Sequence, residues 1–559
     1  MNDPAFEQNQ SGRPSSGEKA GTNGHNGKNG HSVLFDSPLH KIVLQGPPVY
    51  TEAEARQHTL DYFDGDELAT DTIVTKYLLK DQQGQLREAS PEDIHHRMAA
   101  EFHRIEMKYG GDRHLEKSAI FDSLDHFREI LPQGSPMYGI GNGFALVSLS
   151  NCVVVDSPAD DISSICNQGR DLANLFKRRC GVGVDLSELR PEGVSVSNAA
   201  GTTTGAWSFA DYYSGICRMI GQNGRRGALM ITLDVRHPDV MSFITMKQDK
   251  TKVTGANVSL KIRDDFMRAV ESDSEFTLRW PVDSPNPKMT KVVKAKEVWD
   301  LIIKAATDSA EPGLMMWDNI LRTLPAECYA DMGFKTITTN PCGEIPLSAY
   351  DSCRLVCVNL YSFVENPFTE EARFDFERFG ECVRKATRIS DDLIDLELEK
   401  LTDILNKVDT QDEKDLWAKL HHAAKTGRRT GLGTLALGDT MAALRLRYGS
   451  DAAVEMTSRI YEALKVNAYR ESVELAKERG AFAVFDWKKE KDNIFIQSLP
   501  ADLLEDMAVH GRRNISLLTN APTGSMSICA QSSSGIEPVF RNSYICLLYT
   551  SDAADDTPC

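Results

Sequence analysis

CGVGVDLS, at residues 180–187, is one of three short hydrophobic runs that decide the fold class; the other two are CVVVD at 152–156 and ALMITLDV at 228–235. All three are rich in β-branched side chains and lie between stretches with helical periodicity. Strands that alternate with helices are typical of parallel sheets covered by helices. The sequence therefore predicts an α/β fold with largely parallel strands.

The segments around these runs predict the domain organisation. PEDIHHRMAAEFHRIEMKYGG begins with Pro91, keeps apolar residues at helical spacing and stops at Gly110-Gly111, so we predict a helix there. Helices are also predicted to dominate between about residues 370 and 480. We expect four parts: a disordered tail rich in Gly, Asn and Ser at 1–33, a mainly helical region at 34–134, the α/β region at 135–545 and a non-native tail at 546–559.

Composition excludes several classes of protein. The 559 residues include 63 Lys and Arg against 81 Asp and Glu, which gives a net charge of −18. This charge argues against non-specific electrostatic binding to a nucleic-acid polymer. The sequence contains no apolar run of the roughly 18 residues that a membrane helix needs, and no signal-peptide pattern, so we expect a cytoplasmic protein. Twelve irregularly spaced cysteines do not suggest an extracellular disulfide framework.

Two glycine clusters were tested as nucleotide-binding loops. GVGVDL at 181–186 has Leu186 where a dinucleotide fingerprint needs its last glycine, and GLGTLALG at 431–438 follows a basic helical stretch instead of a strand. No P-loop pattern occurs either. The sequence therefore argues against both kinds of nucleotide-binding loop.

The strongest chemical motif is NPCGE at residues 340–344. If the segment is extended, as Pro341 favours, Asn340, Cys342 and Glu344 point to one side and face a single ligand. An amide, a thiol and a carboxylate could then bind a diol, abstract from carbon through sulfur and accept a proton. Two alternatives stay open at this point: an ordinary buried thiol beside a surface acid, and a zinc site that adds Cys353 and Cys357.

A second motif is APTGSMSICAQSSSGIEP at residues 521–538. Successive small residues let backbone amides approach an anion closely, and the N-terminus of a following helix would add its dipole. The segment therefore predicts a phosphate-binding loop, with a Ser-rich turn beneath the core as the alternative.

Several separate motifs together resemble the catalytic chain of ribonucleotide reductases, most closely the adenosylcobalamin-dependent (class II) branch. These motifs are QGSPMYGIGN, SNAAGTTTGAWSFADYY, MIGQNGRRGALMITLDVRHPD, TKVTGANVSLKI, TTNPCGEIPLSAYDSCRL and PTGSMS, and the likeness runs from about residue 48 to about residue 545. The resemblance implies a ten-stranded α/β barrel made of two halves, with a finger loop that carries a radical cysteine into its centre, and an N-terminal helical region.

The resemblance also implies catalytic roles. Cys342 matches the thiyl-radical position, Glu344 the base for the 3′-hydroxyl and Asn340 the amide that holds the hydroxyls. Cys152 matches one member of the reducing cysteine pair, and Cys353 matches the other in the class II spacing. Cys357 competes with Cys353, because class I enzymes place their second cysteine later in the chain. No metal ligand is implied.

Binding residues follow from the same resemblance. Substrate contacts are expected at Ser135, Asn151, Gly181, Thr523, Gly524, Ser525 and Met526. A deoxynucleoside triphosphate or ATP effector is expected at Asp160, Asp161, Ile162, Lys177, Arg190, Ala200 and Gly201. The loop that passes effector identity to the substrate site is expected at Gln222, Asn223, Gly224, Arg225, Arg226 and Gly227, with Arg226 as the base or phosphate contact.

The implied activity is the reduction of ribonucleotides to 2′-deoxyribonucleotides for DNA synthesis. The resemblance favours ribonucleoside diphosphates as the substrates. Adenosylcobalamin is the implied cofactor, and a homodimer and a thioredoxin-like reductant are the implied partners. The main alternative is a class I large subunit that needs a separate radical-generating subunit. A glycyl-radical reductase and a catalytically dead regulatory protein were also weighed; the chain shows no glycyl-radical motif and keeps its site residues.

The end of the sequence departs from the family pattern. The family continues beyond GIEPVF to a mobile cysteine pair, whereas this chain passes into CLLYTSDAADDTPC, which resembles translated adapter sequence. We therefore expect a truncated barrel, and the literal chain is expected to be a doubtful stand-alone enzyme. Cys546 and Cys559 are not assigned to the shuttle pair. Before residue 48 we recognise no nucleotide-binding cone that would control overall activity.

Overall fold

A computed structural model describes residues 49–221 and 227–539. Outside these ranges lie residues 1–48, which include the predicted disordered tail, and residues 540–559. Five residues of the predicted specificity loop also lie outside them: Gln222, Asn223, Gly224, Arg225 and Arg226. The non-native end and the boundaries between the four predicted parts therefore stay predictions. Within the two described ranges, no helix is long and apolar enough to cross a membrane.

Helices make up most of the ordered elements. In chain order they are α1 Glu52–Tyr62, α2 Glu67–Lys76, α3 Pro91–Tyr109, α4 Lys117–Leu124, α5 Gly134–Gly139, α6 Ile162–Phe176, α7 Ala206–Met219, α8 Val240–Thr245, α9 Asp264–Glu271, α10 Ala295–Ser309, α11 Trp317–Thr323, α12 Phe376–Lys407, α13 Gln411–Gly427, α14 Leu437–Ala443, α15 Asp451–Arg479, α16 Trp487–Glu490, α17 Ile494–Gln497, α18 Ala501–His510 and α19 Gly524–Cys529. Short 3-10 helices occur at Asp125–Phe127, Met246–Gln248, Pro325–Met332 and Leu360–Phe363.

The strands are short. They are β1 Ile130–Pro132, β2 Cys152–Val154, β3 Gly181–Asp185, β4 Leu229–Asp234, β5 Asn257–Ile262, β6 Glu275–Trp280, β7 Met289–Lys294, β8 Gly313–Met316, β9 Thr336–Thr339, β10 Pro346–Ser348, β11 Ser352–Cys353, β12 Leu355–Asn359, β13 Val364–Glu365, β14 Arg373–Phe374 and β15 Gly431–Leu435.

The helix predicted from Pro91 is confirmed as α3. Pro91 lies in its first turn, where a missing backbone N–H breaks no helical bond. Gly110 ends the helix with a φ of +66°, a conformation that glycine adopts without steric cost. Ile94 and Phe102 are buried on one face, which packs into the largest hydrophobic core.

The three runs predicted as strands form β2, β3 and β4, which lie side by side in a six-stranded sheet of order β11-β2-β3-β4-β5-β8. The strands β2, β3, β4, β5 and β8 run parallel, and β11 pairs antiparallel with β2 at the edge. Every residue of β3 and β4 is buried, as is usual for parallel strands covered on both faces. The prediction of an α/β fold with largely parallel strands is confirmed.

A second sheet contains β1, β12 and β15, with β12 parallel to β15 and antiparallel to β1. The pairs β9–β10, β6–β7 and β13–β14 form two-stranded sheets. The described strands are thus divided among a six-stranded, a three-stranded and three two-stranded sheets. A single closed barrel of ten strands therefore stays a prediction.

The two glycine clusters that were tested as nucleotide loops are strands that other backbone segments approach closely. A Cβ on Gly183 of β3 would lie 1.8 Å from the carbonyl oxygen of Thr339. A Cβ on Gly433 of β15 would lie 2.2 Å from the carbonyl oxygen of Thr519. Glycine is required at both positions because any side chain would collide with main chain.

The N-terminal helices are tied to the rest of the fold by a buried ionic cluster. Arg479 of α15 contacts Glu106 of α3 at 2.7 Å and Asp392 of α12 at 2.7 Å. It also contacts Asp391 at 3.1 Å, and all four side chains are fully buried. Because breaking a buried ion pair leaves an uncompensated charge, this cluster fixes α3 against the two long helices.

Candidate active site

NPCGE forms the tip of a hairpin between β9 and β10, so the expectation of an extended segment is wrong. Gly343 donates its N–H to the carbonyl of Asn340 at 3.1 Å and has a φ of +84°, which closes a tight turn. The side-chain oxygen of Asn340 accepts from the N–H of Ile345 at 3.1 Å. Asn340 is fully buried, Cys342 is exposed at the tip and Glu344 is half-buried.

The hairpin tip faces a cleft of about 530 Å³, counted to its open mouth. Several separate parts of the chain meet there, among them the hairpin, the starts of β2 and β3, and the segment that begins α19. The predicted site residues that line the cleft are Asn151, Cys152, Gly181, Asn340, Cys342, Glu344, Thr523, Gly524, Ser525 and Met526. Most of the predicted catalytic and substrate-binding set is therefore brought to one place.

Cys152 is one of the points at which the hairpin contacts the sheet. Its sulfur accepts a hydrogen bond from Asn340 Nδ2 at 3.1 Å and donates to Glu344 Oε1 at 3.8 Å. Burial raises the pKa of the Cys152 thiol well above its usual value, and the nearby Glu344 raises the pKa further, while the Asn340 bond lowers it. Cys152 is therefore held as a neutral thiol that can donate a proton toward the cleft.

Cys353 and Cys357 occupy different sheets. Cys353 of β11 is the direct cross-strand partner of Cys152 in β2, and both thiols are reduced. Cys357 of β12 lies opposite Leu131 and donates to its carbonyl oxygen at 3.5 Å within the main core. Cross-strand neighbours have Cβ atoms close enough for a disulfide, so the geometry favours Cys353 as the partner of Cys152.

The alternative zinc set of Cys342, Cys353 and Cys357 is not brought together. Cys342 is exposed at the hairpin tip, and the other two thiols are buried in separate strands. In residues 49–221 and 227–539, no group of three His, Cys, Asp or Glu side chains is arranged to hold a metal ion.

The predicted phosphate loop begins helix α19. The hydroxyl of Thr523 accepts from the N–H of Gly535 at 2.8 Å, and its carbonyl accepts from Ser527 at 2.7 Å. Ser135 differs from the expectation: it is fully buried and donates to the carbonyl of Arg179 at 3.3 Å, while its neighbours Gln133 and Gly134 line the cleft. Asn151 lines the cleft and accepts from the N–H of Leu355 at 3.1 Å.

The predicted effector residues fall into two groups. Arg190 contacts Asp160 at 2.8 Å, and its Nη1 donates to Ser195 in the loop that carries Ala200 and Gly201. Asp161 caps α6, and Ile162 at its start is exposed. Lys177 lies at the opposite end of α6, about 24 Å away along the helix axis, and contacts Glu413 at 2.9 Å. Within one chain, Lys177 is therefore not brought to Asp160.

Gly227 is the described member of the predicted specificity loop. A Cβ there would lie 3.0 Å from Cys217 Sγ and 3.1 Å from the ring of Phe176. The segment just before β4 is thus packed tightly against α6, which carries Ile162 and is capped by Asp161 and Lys177, and against α7.

Sequence reasoning missed several residues that line the cleft: Tyr77, Gln133, Gly134, Ala228, Pro341, Leu355 and Pro522. Gln133 and Gly134 lie in the QGSPMYG motif, one or two positions before the predicted Ser135, so the motif itself is the signal that marks them. Tyr77 follows α2, which packs against α19, and no local pattern marks it.

Comparison with known proteins agrees with this geometry. Residues 150–547 match the family model described as "Ribonucleotide reductase, barrel domain". The chain is 31% identical over 523 residues to the vitamin B12-dependent ribonucleoside-diphosphate reductase of Mycobacterium tuberculosis (strain CDC 1551 / Oshkosh), covering 91% of this chain and 68% of that protein. It is 33% identical over 408 residues to the protein of the same name from Thermoplasma acidophilum, covering 72% and 47%.

A more distant relative is the ribonucleoside-diphosphate reductase large chain of Neurospora crassa, which is 26% identical over 439 residues and covers 71% of this chain and 44% of that protein. The family model matches well over half of the 559 residues. The chain therefore belongs to the ribonucleotide reductase family.

Proposed function

We propose that this chain reduces ribonucleoside diphosphates to 2′-deoxyribonucleotides by thiyl-radical chemistry. The observation that carries the proposal is the convergence in one cleft of Asn340, Cys342, Glu344 and Cys152 with the segment Thr523–Met526. Cys353 lies directly behind this group as the cross-strand partner of Cys152. A radical cysteine, a base, a proton donor, a reducing pair and an anion-binding segment are thus available to one nucleotide.

The roles divide by accessibility. Exposed Cys342 takes the 3′ hydrogen of the ribose, and Glu344 accepts the proton of the 3′-hydroxyl while Asn340 holds the hydroxyls. Cys152 protonates the departing 2′-hydroxyl, which leaves as water. Cys152 and Cys353 together supply two electrons and two protons and end as a disulfide.

Phosphate binding is assigned to the segment Thr523–Met526. Small side chains leave the backbone amides accessible, and the hydroxyls of Thr523 and Ser525 add donors. The hydrogen bond from Gly535 fixes the Thr523 hydroxyl, so the loop is organised before the nucleotide enters.

Adenosylcobalamin is the radical source that we propose, because the two relatives of highest identity reported above are named vitamin B12-dependent. Its carbon–cobalt bond breaks homolytically to give a carbon radical. The residues fit such a source: Cys342 and Gly343 are exposed at the hairpin tip, and the Cys152 and Cys353 sulfurs are buried. The tip would therefore face the bound cofactor, and the buried thiols would be shielded from it.

A homodimer with a bound deoxynucleoside triphosphate or ATP effector forms part of the proposal. Ile162 and Met219 are exposed apolar residues on α6 and α7, which pack on each other. Because Lys177 and Asp160 lie at opposite ends of α6, one effector could contact both only where two copies of the helix run antiparallel. This geometry supports an effector site shared between two chains.

The proposal also includes a closed ten-stranded barrel, a cytoplasmic location and a thioredoxin-like dithiol as external reductant. Support for two barrel halves comes from β3 and β15, each of which uses a glycine to accept a neighbouring backbone segment.

The test is turnover by the purified chain with adenosylcobalamin, dithiothreitol and a ribonucleoside diphosphate, without a second protein. We expect deoxyribonucleotide in the sample with Cys342 intact and none with Cys342→Ser. Cys328→Ser, which alters a half-buried cysteine that does not line the cleft, is the matched control and should keep activity. Product that forms only after a separate radical-generating subunit is added would favour the class I alternative.

A further inference from the structure

The two sulfurs of the reducing pair lie in unlike surroundings. Both cysteines belong to a small apolar cluster with Ile345, Leu347 and Leu355, but Cys152 also lines the cleft, whereas Cys353 is fully buried. On its far side Cys353 is packed so tightly that a Cβ on Gly431 would lie 2.1 Å from its sulfur. An external thiol can therefore reach Cys152 from the cleft but cannot reach Cys353 from behind.

Two buried arginines flank Cys353. Arg354 follows it in the chain, and Arg429 lies two residues before Gly431; each is 1% exposed. Arg354 donates to the hydroxyl and carbonyl of Ser352 and to the carbonyl of Arg429, and all three acceptors are neutral. Its positive charge is consequently not cancelled by a direct ion pair in the described part of the chain.

Arg429 carries a second incompletely matched charge. Its Nε donates to Asp351 at 2.6 Å. Within the described residues, Nη1 and Nη2 of Arg429 and Nε of Arg354 have no hydrogen-bond partner. Buried donors of this kind are costly unless another role offsets the cost. They favour negative charge nearby.

We propose that an external dithiol attacks Cys152 from the cleft, and that Arg354 and Arg429 are positioning residues that stabilise Cys353 as the departing thiolate. This inference rests on the function proposed above and specifies how its disulfide is reopened. The external sulfur bonds to Cys152, the Cys152–Cys353 bond breaks and its electron pair stays on Cys353.

The second thiol of the reductant then displaces Cys152 and leaves as a cyclic disulfide. The two protons of the dithiol end on Cys152 and Cys353, so atoms and electrons balance. The charged groups that face Cys353 are Arg354 and Arg429, which favour its thiolate, and Glu344 and Asp351, which oppose it.

Charged neighbours and burial shift the pKa values of the two thiols. Burial raises the pKa of Cys353 to about 12 against the opposing effect of Arg354. Burial and Glu344 raise the pKa of Cys152 well above its usual value. Because a thiol of lower pKa leaves faster, the lowering effect of Arg354 favours departure of Cys353.

Glu397 holds the strand of the attacked sulfur. It accepts from the Ser148 and Ser150 hydroxyls at 2.5 and 2.9 Å and from the N–H of Leu149 at 2.6 Å. These residues directly precede Asn151 and Cys152. Glu397 is also the strongest charge partner of Arg354, so the guanidinium charge acts on both Glu397 and Cys353.

The first experiment maps the attacked sulfur. The full chain carrying Cys342→Ala is oxidised with diamide, exposed to glutathione, quenched in acid and analysed by peptide mass spectrometry. We expect glutathione on Cys152. Glutathione on Cys353, or on both equally, would overturn the inference while leaving the proposed function intact. If no Cys152–Cys353 disulfide forms at all, the reducing pair of the proposed function fails, and this inference fails with it.

The second experiment measures the rate at which dithiothreitol reduces the disulfide between pH 6 and pH 9. Arg354→Met should slow reduction about threefold for each unit by which it raises the pKa of the leaving sulfur, and Arg354→Lys should recover most of the rate. Arg428→Met is the matched control, because Arg428 is buried next to Arg429 but pairs with Asp391 and Asp395. Equal slowing by Arg354→Met and Arg428→Met would assign Arg354 a purely structural role. If Arg354→Met does not fold, the glutathione mapping still tests whether Cys152 is the attacked sulfur.

Discussion

Cys353 and Cys357 are separated by only three residues, yet the chain crosses from one sheet to another between them. β11 ends at Cys353 in the six-stranded sheet, and β12 begins at Leu355 in the three-stranded sheet. Cys353 consequently pairs with Cys152 beside the cleft, and Cys357 pairs with Leu131 and Gly433 in the core. The thiol that the resemblance favours and the thiol that competes with it therefore have different neighbours.

This difference shows that chemistry at a cysteine depends on its strand partner more than on its own sequence context. Burial alone does not separate the two, because both are fully buried. The separation comes from what lies across the strand and from the arginines near Cys353. Each prediction below would break or sharpen the contrast.

The largest expected effect comes from replacing each thiol by a hydroxyl. Cys353→Ser should lower multiple-turnover deoxyribonucleotide formation at least about a thousandfold, because serine cannot form a disulfide with Cys152. Cys357→Ser should keep most of the turnover and lose about 1–2 kcal/mol of unfolding free energy, since it buries a more polar group in the core. The measurements are product per chain and thermal unfolding of both variants. A dead Cys357→Ser with a stable fold would reverse the assignment.

The next largest effect is expected in alkylation, which should separate both buried thiols from the exposed Cys342. Because only thiolate reacts, a thiol with a pKa of about 12 is ionised in about 1 in 10,000 molecules at pH 8. Cys353 should therefore react with iodoacetamide about a thousandfold more slowly than exposed Cys342, and Cys357, whose pKa burial also raises, should be no faster. Each added pH unit should speed labelling of Cys353 about tenfold while the fold holds. Peptide mapping at pH 8 and pH 9 tests this, and a rate that does not change with pH would contradict it.

Sequence alone identified much of this arrangement where the signal is local. β-branched runs located β2, β3 and β4, and a proline and a glycine marked the two ends of α3. NPCGE was expected to be extended because Pro341 permits that conformation, whereas hydrogen bonds from Gly343 and Ile345 to Asn340 fold it into a turn. The sequence therefore identified the NPCGE motif, but the prediction of its backbone conformation was wrong.

Other features depend on contacts between distant segments. The resemblance favours Cys353 over Cys357 from its spacing, but that Cys353 lies across from Cys152 depends on strand pairing, which the local sequence does not show. Lys177 was grouped with Asp160 although a whole helix separates them. Tyr77 reaches the cleft only because α2 packs against α19, so its position follows from tertiary structure.

A smaller effect is expected from glycines opposite the two thiols. Gly431→Ala would place a methyl group 2.1 Å from the Cys353 sulfur, so the sulfur must shift and the Cys152–Cys353 disulfide should form about tenfold more slowly. Gly433→Ala, beside Cys357, is the matched control: its methyl group meets the Thr519 carbonyl, so it should lower stability without changing the Cys152–Cys353 geometry. Disulfide formation with diamide, followed by thiol counting, compares them. Equal rates of disulfide formation in the two variants would contradict the assignment of Cys353 as the partner of Cys152.

The smallest effect concerns Gln133, which lines the cleft and whose side chain hydrogen-bonds with Cys357. If this bond gave Cys357 a redox role, Gln133→Leu would impair formation of the active-site disulfide. We expect instead a rise in KM of about threefold, from the loss of a polar group facing the nucleotide, with an unchanged rate of disulfide formation. Gln133→Asn keeps the amide on a shorter side chain, so its KM should lie between those of the unchanged protein and Gln133→Leu. A fall in kcat at constant KM, together with slower disulfide formation, would show that Cys357 takes part in the electron transfer and that the contrast with Cys353 is incomplete.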